Sequence, residues 1–317
     1  MPNESHPIRI AIVGTGNVGA TFAYSLLISG LAGEIVLIDA NQTKASGEAM
    51  DLNHSVPFTQ PTRIWAGRYE DIAGAAITVV TAGSAQKPGE TRLDLVQRNA
   101  SIFKSIIPEV VRYNPDGLIV VATNPVDILS YSAWKLSGLP SSRVIGSGTI
   151  LDTARFRYLL SQYARVDARS VHAFIIGEHG DSEVPVWSLA NIAGVPLVDY
   201  FAMNCRDCEK DVFDHIFEAT RDAAYQIIQR KGSTYYAIAS GLQRIVEAIL
   251  RDQDTVLSVS TLIEDFHGVD KVFLSLPCIL GRNGIKQVLK IPLNDEEEKG
   301  FVRSAEVMQQ NIRAIGL

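Results

Sequence analysis

His179 sits between Glu178 and Gly180 in GEHGDSEVP, directly after the apolar run VHAFII. Glycines at such a turn present a side chain rather than pack it. Imidazole exchanges a proton near neutral pH, and a carboxylate beside it would fix its tautomer and stabilise the imidazolium. LDTAR offers that carboxylate, since Asp152 and Arg155 are three residues apart on a helical pattern and share one face. The competing reading is an exposed intrahelical ion pair worth a few tenths of a kcal/mol. His6, His54, His215 and His267 lack comparable surroundings and read as surface or satisfied core residues. TNPVDI, residues 123–128, follows an apolar strand pattern at the end where open α/β sheets bind ligands. Asn124 there can donate to a substrate oxygen or simply stabilise an Asn-Pro turn. AQKPGETR, residues 85–92, is punctuated by Pro and Gly as a loop, yet carries Gln86 and Arg92.

A second constellation is built on glycine. GTGNVG, from Gly14 through Gly16, Asn17 and Val18 to Gly19, fits G-x-G-x-x-G at the end of a strand and the start of a helix, with Asp39 20 residues beyond Gly19. Gly14 permits the tight turn, Gly16 lets backbone approach a pyrophosphate, and Gly19 lets helix pack on strand. The phosphates then meet the free N–H groups and dipole of the helix N-terminus. Asp39 would hydrogen-bond a ribose 2′-hydroxyl and repel a 2′-phosphate, which selects NAD over NADP. A plain glycine turn, or a flavin or sugar-nucleotide enzyme with the same fold, is the alternative.

The elements that must position these residues form two textures. In the first half IRIAIV, EIVLI, AITVVT and LIVVA alternate with helical stretches, which predicts a doubly wound parallel sheet. From about residue 150 a helix, the strand VHAFII, a long helical pattern over residues 206–231 and another after Thr234 precede an antiparallel meander, TVLSVST, KVFLSLP and IKQVLKI, and a charged helix from Asp295. The expected class is α/β, with a Rossmann NAD-binding domain over residues 1–147 and an α+β substrate-binding and catalytic domain over 148–317.

Composition limits the partners. The chain has 317 residues, 46% hydrophobic and 20% charged, with a formal charge of -6, which disfavours nucleic acid and leaves anion binding to individual arginines. No apolar run approaches the roughly 20 residues of a membrane span. The N-terminus shows no secretory pattern, and a cytoplasmic setting is expected. Cys205, Cys208 and Cys278 suggest no disulfide framework, and a single CRDC is a weak metal signal, so no metal is expected.

Taken in order, GTGNVG, Asp39, AGSAQKPGETRLDL, TNPVD, GSGTILDTARFR, IIGEHGDSEVPVWS and KGSTYYAIA resemble the L-lactate dehydrogenases of bacterial type, over essentially the whole chain. The resemblance implies His179 as proton donor and acceptor, Asp152 as its partner, Arg155 as the clamp on a substrate carboxylate and Arg92 as polariser of the reacting carbonyl. It implies Asn124 assisting there, Thr234 on the pocket wall, Ser147 near the nicotinamide, and Thr81, Ala82 and Gly83 against the cofactor. The AQKPGETR loop would close over a keto acid and deliver Arg92. Related malate dehydrogenases share most of these motifs but carry an arginine where this chain has Gln86, so the resemblance implies pyruvate and L-lactate as substrates. It further implies a homotetramer, and Arg157 and His172 match positions that bind fructose 1,6-bisphosphate in allosteric members, although both can equally be ordinary interface residues.

Overall fold

A computed structural model describes residues 7–85, 89, 91–204, 211–314 and 316, and the backbone alone of Arg92. The alternating first half forms β1 (Arg9–Val13), α1 (Asn17–Ser29), β2 (Glu34–Ile38), α2 (Gln42–Ser55), β3 (Arg63–Ala66), β4 (Ile77–Val80), α3 (Arg92–Tyr113), β5 (Leu118–Val121), α4 (Val126–Ser137) and β6 (Val144–Gly146). β2, β4, β5 and β6 are buried at every residue, as strands covered by helices on both faces must be. These six strands are parallel in the order β3-β2-β1-β4-β5-β6. The order reverses between β1 and β4, and a crevice opens beyond their carboxyl ends.

The second half begins with α5 (Ile150–Ala164) and five two-residue strands: β7 (Val171–His172), β8 (Ile175–Ile176), β9 (Val184–Pro185), β10 (Asn191–Ile192) and β11 (Val195–Pro196). α6 (Leu197–Asn204), α7 (Val212–Lys231) and α8 (Tyr236–Leu250) follow, then β12 (Thr255–Ile263), β13 (Val272–Gly281), β14 (Gly284–Val288) and α9 (Asp295–Ala314). VHAFII differs from its sequence reading as one strand. It divides into β7, which joins β10 and β11, and β8, which pairs with β9 in a separate sheet. The helical pattern read over residues 206–231 is α7 from Val212 onward, and residues 205–210 lie outside the described ones.

β12, β13 and β14 form the antiparallel meander that the alternation predicts, but not a sheet of their own. β12 pairs antiparallel with β6 at Ser260 and Gly146, so nine strands make one sheet running through both halves. Gly146 permits the approach, because a Cβ there would run into Ser130 of α4 and Ser260 of β12. Two buried clusters cross the same seam. One joins Val13 and Phe103 to Phe273 and Phe301; the other joins Ile12 and Leu26 to Leu242 and Val259. A third, with Phe156, Leu160, Ile192 and Phe201, lies beneath α5. There the Phe156 and Trp187 rings meet edge to face at 4.7 Å, a contact worth about 0.5–1.5 kcal/mol beyond its area. Of the three cysteines, Cys278 is a packed thiol in β13 whose pKa burial pushes up, while Cys205 and Cys208 lie outside the described residues.

Candidate active site

The crevice at the β1/β4 reversal is a cavity of about 860 Å³ lined by Gly14, Gly16, Asp39, Thr81, Ala82 and Gly83 among others. Gly14 adopts φ 107°, and a Cβ there would collide with the backbone of Ala82. A Cβ at Gly19 would run into the Gly14 carbonyl, so only glycine lets α1 lie this close to the turn. Gly16 is the opposite case. Nothing lies within 4 Å of a Cβ built on it, and α1 starts there without a side-chain cap, which leaves its first N–H groups turned to the open space. Asn17 donates to Ser233 Oγ at 2.9 Å, tying the start of α1 to the segment before α8, and Val18 is half-buried beside it.

Asp39 ends β2 with Oδ2 accepting from the Thr15 amide at 2.6 Å and Oδ1 from the Asn41 amide at 2.8 Å. Partial burial works against its charge, but these donors hold the carboxyl below its usual range. An anionic acceptor therefore waits at the strand end where a ribose diol would lie. An open helix N-terminus, a glycine that leaves backbone accessible and a fixed carboxylate together fit a dinucleotide.

The second site lies beyond β5. His179 Nδ1 is 2.5 Å from Asp152 Oδ2, and Arg155 Nη1 donates to Asp152 Oδ1 at 2.8 Å. Asp152 has a side-chain exposure of 3% and Arg155 of 13%, so this is not the exposed intrahelical pair that the spacing alone allowed. Burial penalises the Asp152 carboxylate, yet His179 and Arg155 hold its pKa down. Burial likewise opposes the imidazolium, but Asp152 above all lifts His179 to about 9. Both Asp152 oxygens are thus taken by cationic partners, which favours an acid–base couple over a metal centre.

Local structure explains the precision. Thr149, before α5, donates through Oγ1 to the Ile175 carbonyl at 2.6 Å, and Thr153 Oγ1 accepts from the Ile175 amide at 3.0 Å, which pins the start of α5 to β8. Asp152 falls in the first helical turn, where the dipole favours a carboxylate. The His179 loop is held on three sides: Gly177 and Ser275 exchange backbone hydrogen bonds at 2.9 Å, Glu178 N donates to Ser304 Oγ at 2.6 Å, and His179 N donates to Asp127 Oδ2 at 2.7 Å. Asp127, buried on α4, has its carboxyl pushed up to about 6 by burial.

Asn124, Arg155 and Asp152 line one cavity of about 280 Å³ with His179, Glu183 and Arg221. Thr234 lines an adjoining cavity of about 450 Å³ that Arg155 also borders. Ser147 is buried after β6, its amide donating to the Val121 carbonyl at 2.7 Å. Gln86 and Lys87 lie outside the described residues, and Arg92 begins α3 with its side chain not described. Arg157 points away from the pocket, with Nε donating to the Ala173 carbonyl at 2.9 Å and its guanidinium 5.3 Å from the Phe174 ring; His172 is exposed on β7. Sequence reasoning missed Asp127, Glu183, Arg221 and Asn99. Asp127 and Glu183 stand inside motifs already singled out, TNPVDI and GEHGDSEVP, so the signal was present. Asn99 and Arg221 are ordinary helix residues by spacing. The structure shows Asn99 joining the loop after β4 to the Asn124 turn, through Ser84 N at 2.9 Å and Asn124 O at 2.9 Å.

A dinucleotide crevice on a parallel sheet, beside a buried histidine–carboxylate–arginine pocket, defines a two-site α/β dehydrogenase. The comparisons agree: residues 8–146 match the lactate/malate dehydrogenase NAD binding domain and residues 149–315 the lactate/malate dehydrogenase alpha/beta C-terminal domain. The chain belongs to the lactate/malate dehydrogenase family and is an NAD-dependent oxidoreductase. It is 53% identical over 318 residues to the L-lactate dehydrogenase of Acetivibrio thermocellus, covering 100% of each chain. It is 52% identical to that of Priestia megaterium over 95% of each chain. The minor L-lactate dehydrogenase of Enterococcus mundtii, solved in a ligand-bound form, superposes with a TM-score of 0.95 at 42% identity, covering 98% of this chain and 99% of that one.

Proposed function

We propose that the chain is an NAD-dependent L-lactate dehydrogenase that interconverts pyruvate and L-lactate. The observation that carries this reading is the buried Asp152 carboxylate that binds both His179 and Arg155 at the wall of the cavity beyond β5. NADH, when bound, supplies a hydride to the carbonyl carbon. His179 supplies the proton: with Nδ1 occupied by Asp152, Nε2 is the nitrogen that gives it to the carbonyl oxygen and recovers it when lactate is oxidised. Arg155, its orientation set by Asp152, presents planar donors that match the two oxygens of a substrate carboxylate. Arg92, reaching the carbonyl oxygen only as negative charge develops there, would bind the transition state better than the substrate. Asn124 would donate to the same oxygen, Thr234 would complete the wall, and Ser147 with Thr81, Ala82 and Gly83 would border the cofactor. The two domains proposed for these tasks are residues 1–147 and 148–317.

Gln86 supports pyruvate over oxaloacetate, because a second substrate carboxylate buried without a cation costs roughly 2 to 5 kcal/mol, or about 30-fold to several thousand-fold in affinity. Initial rates of NADH oxidation with each keto acid test this. kcat/KM at least about 30-fold higher for pyruvate is expected, and a preference for oxaloacetate would reverse the assignment.

The assembly is proposed to be a homotetramer in the cytoplasm; among the described residues no helix is long and apolar enough to cross a membrane. Fructose 1,6-bisphosphate is proposed to bind at Arg157 and His172. Arg157 bonds the carbonyl of Ala173, the residue that follows His172 in the chain. Light scattering should return four chains per particle, and the sugar bisphosphate should lower the half-saturating pyruvate concentration. An unchanged half-saturation removes the effector site.

A further inference from the structure

The mechanism above leaves one buried acid in the pocket unused. Glu183 follows the His179 turn, is 7% exposed, and leaves Oε1 buried with no hydrogen-bond partner. One donor or acceptor atom from each of Glu183, Asp152 and His179 lies within 4.8 Å of the others. A buried polar atom without a partner is costly, and a carboxylate there would be more so, so its presence beside His179 calls for a role.

We propose that Glu183 is a positioning residue for the proton transfer: its buried, unpartnered carboxyl, packed within 4.8 Å of Asp152 and His179, sets the charge beside the ring and with it the pH range over which the imidazolium persists. The inference rests on His179 being the proton donor. The surroundings favour this behaviour. Burial first, then the Asp152 carboxylate, push the Glu183 carboxyl up to about 8, opposed by His179, by Arg155 on α5 and by Arg221 on α7. His179 in turn is held up by Asp152, by Asp127 from α4 and by Glu183. The other acids of the loop are engaged elsewhere: Glu178 accepts from Ser182 Oγ at 2.5 Å, and Asp181 accepts from Tyr225 on α7 at 3.0 Å. From α9, Glu297 accepts from Ser188 rather than facing the pocket.

The consequence is a reserve of charge. While Glu183 keeps its proton, Asp152 is the main counter-charge to the imidazolium and Arg155, with Asp127 behind the His179 amide, and an anionic keto acid meets no extra repulsion from Glu183. As the pH passes about 8, where His179 would otherwise approach its own deprotonation, the new carboxylate opposes that loss. Pyruvate reduction, which needs the protonated ring, keeps its rate further into the alkaline range.

The test is the pH dependence of kcat/KM for pyruvate with NADH in the intact enzyme and in Glu183→Gln. The ratio of the value at pH 9 to that at pH 6.5 is expected to fall at least about threefold in the variant, because the amide cannot ionise. An unchanged ratio, including a parallel loss at every pH, overturns the proposal and leaves Glu183 a purely structural residue. Should the variant fail to fold, difference infrared spectroscopy of the unmutated protein decides: a protonated carboxylic acid that disappears near pH 8 is expected, and the absence of one is fatal to the idea. Should the unmutated protein not reduce pyruvate, the preceding functional reading fails, and the infrared titration still reports on Glu183.

Discussion

His179→Asn lowers kcat/KM for pyruvate by about 10² to 10⁴, the usual worth of a positioned acid–base group. The amide keeps a polar group in the turn, and the loop anchors to Ser304 and Asp127 run through backbone amides, so they survive the change. The glycine turn and Asp39 lie in a separate cavity, so NADH binding followed by fluorescence should stay within about twofold. A loss below tenfold in single-turnover hydride transfer would show that another group delivers the proton.

Asp152→Asn produces the second large effect, on activity and on stability together. Its carboxylate is the main support of the imidazolium, which the pair lifts to about 9. With an amide the ring falls back toward its ordinary value near 6.5, so the protonated fraction at pH 8 drops about thirtyfold. Stability follows the same charges with opposite pH signs. The raised His179 contributes stability that is fully present below about 6.5 and lost as the pH rises through about 9. The depressed Asp152 contributes stability present above its ordinary carboxyl range and lost as the pH falls through its lowered value. Removing the carboxylate also strands the Arg155 charge at 13% exposure, and breaking a buried pair this way costs about 3–5 kcal/mol. Urea titrations at pH 7 measure the loss. A variant as stable as the parent would mean that water replaces the carboxylate at little cost.

The parallel half was legible because β2, β4 and β5 are continuous apolar runs. β3 and β6 were not seen: RIWA at the edge of the sheet opens on an exposed arginine and is fully buried only at Ile64, and VIG is only three residues long before a glycine-rich turn. The meander was legible from its alternation, but its attachment to β6 depends on a pairing 114 positions apart in sequence, between Gly146 and Ser260, which no local pattern carries. VHAFII was read as one strand because nothing in its residues marks the break at Ala173 and Phe174; neighbours on β10 and β9 make it. In the site, spacing brought Asp152 and Arg155 to one face of α5, and the structure adds what spacing could not show, the burial that turns an ordinary pair into a strong one. Glu183 was visible as a residue but not as a problem, since an unpartnered oxygen is a property of packing.

The continuous nine-stranded sheet also limits how the enzyme can capture its substrate. Because β12 is hydrogen-bonded to β6 and the two larger cores draw on both halves, the halves cannot swing as jaws about a hinge without tearing the ladder between them. Any closure over the keto acid has to be carried by local segments moving against a stationary frame. The frame then acts as a fixed ruler: with the dinucleotide crevice built on β1 and β4 and the His179 loop bonded to β13, the separation of the two is a property of the sheet and not of a hinge.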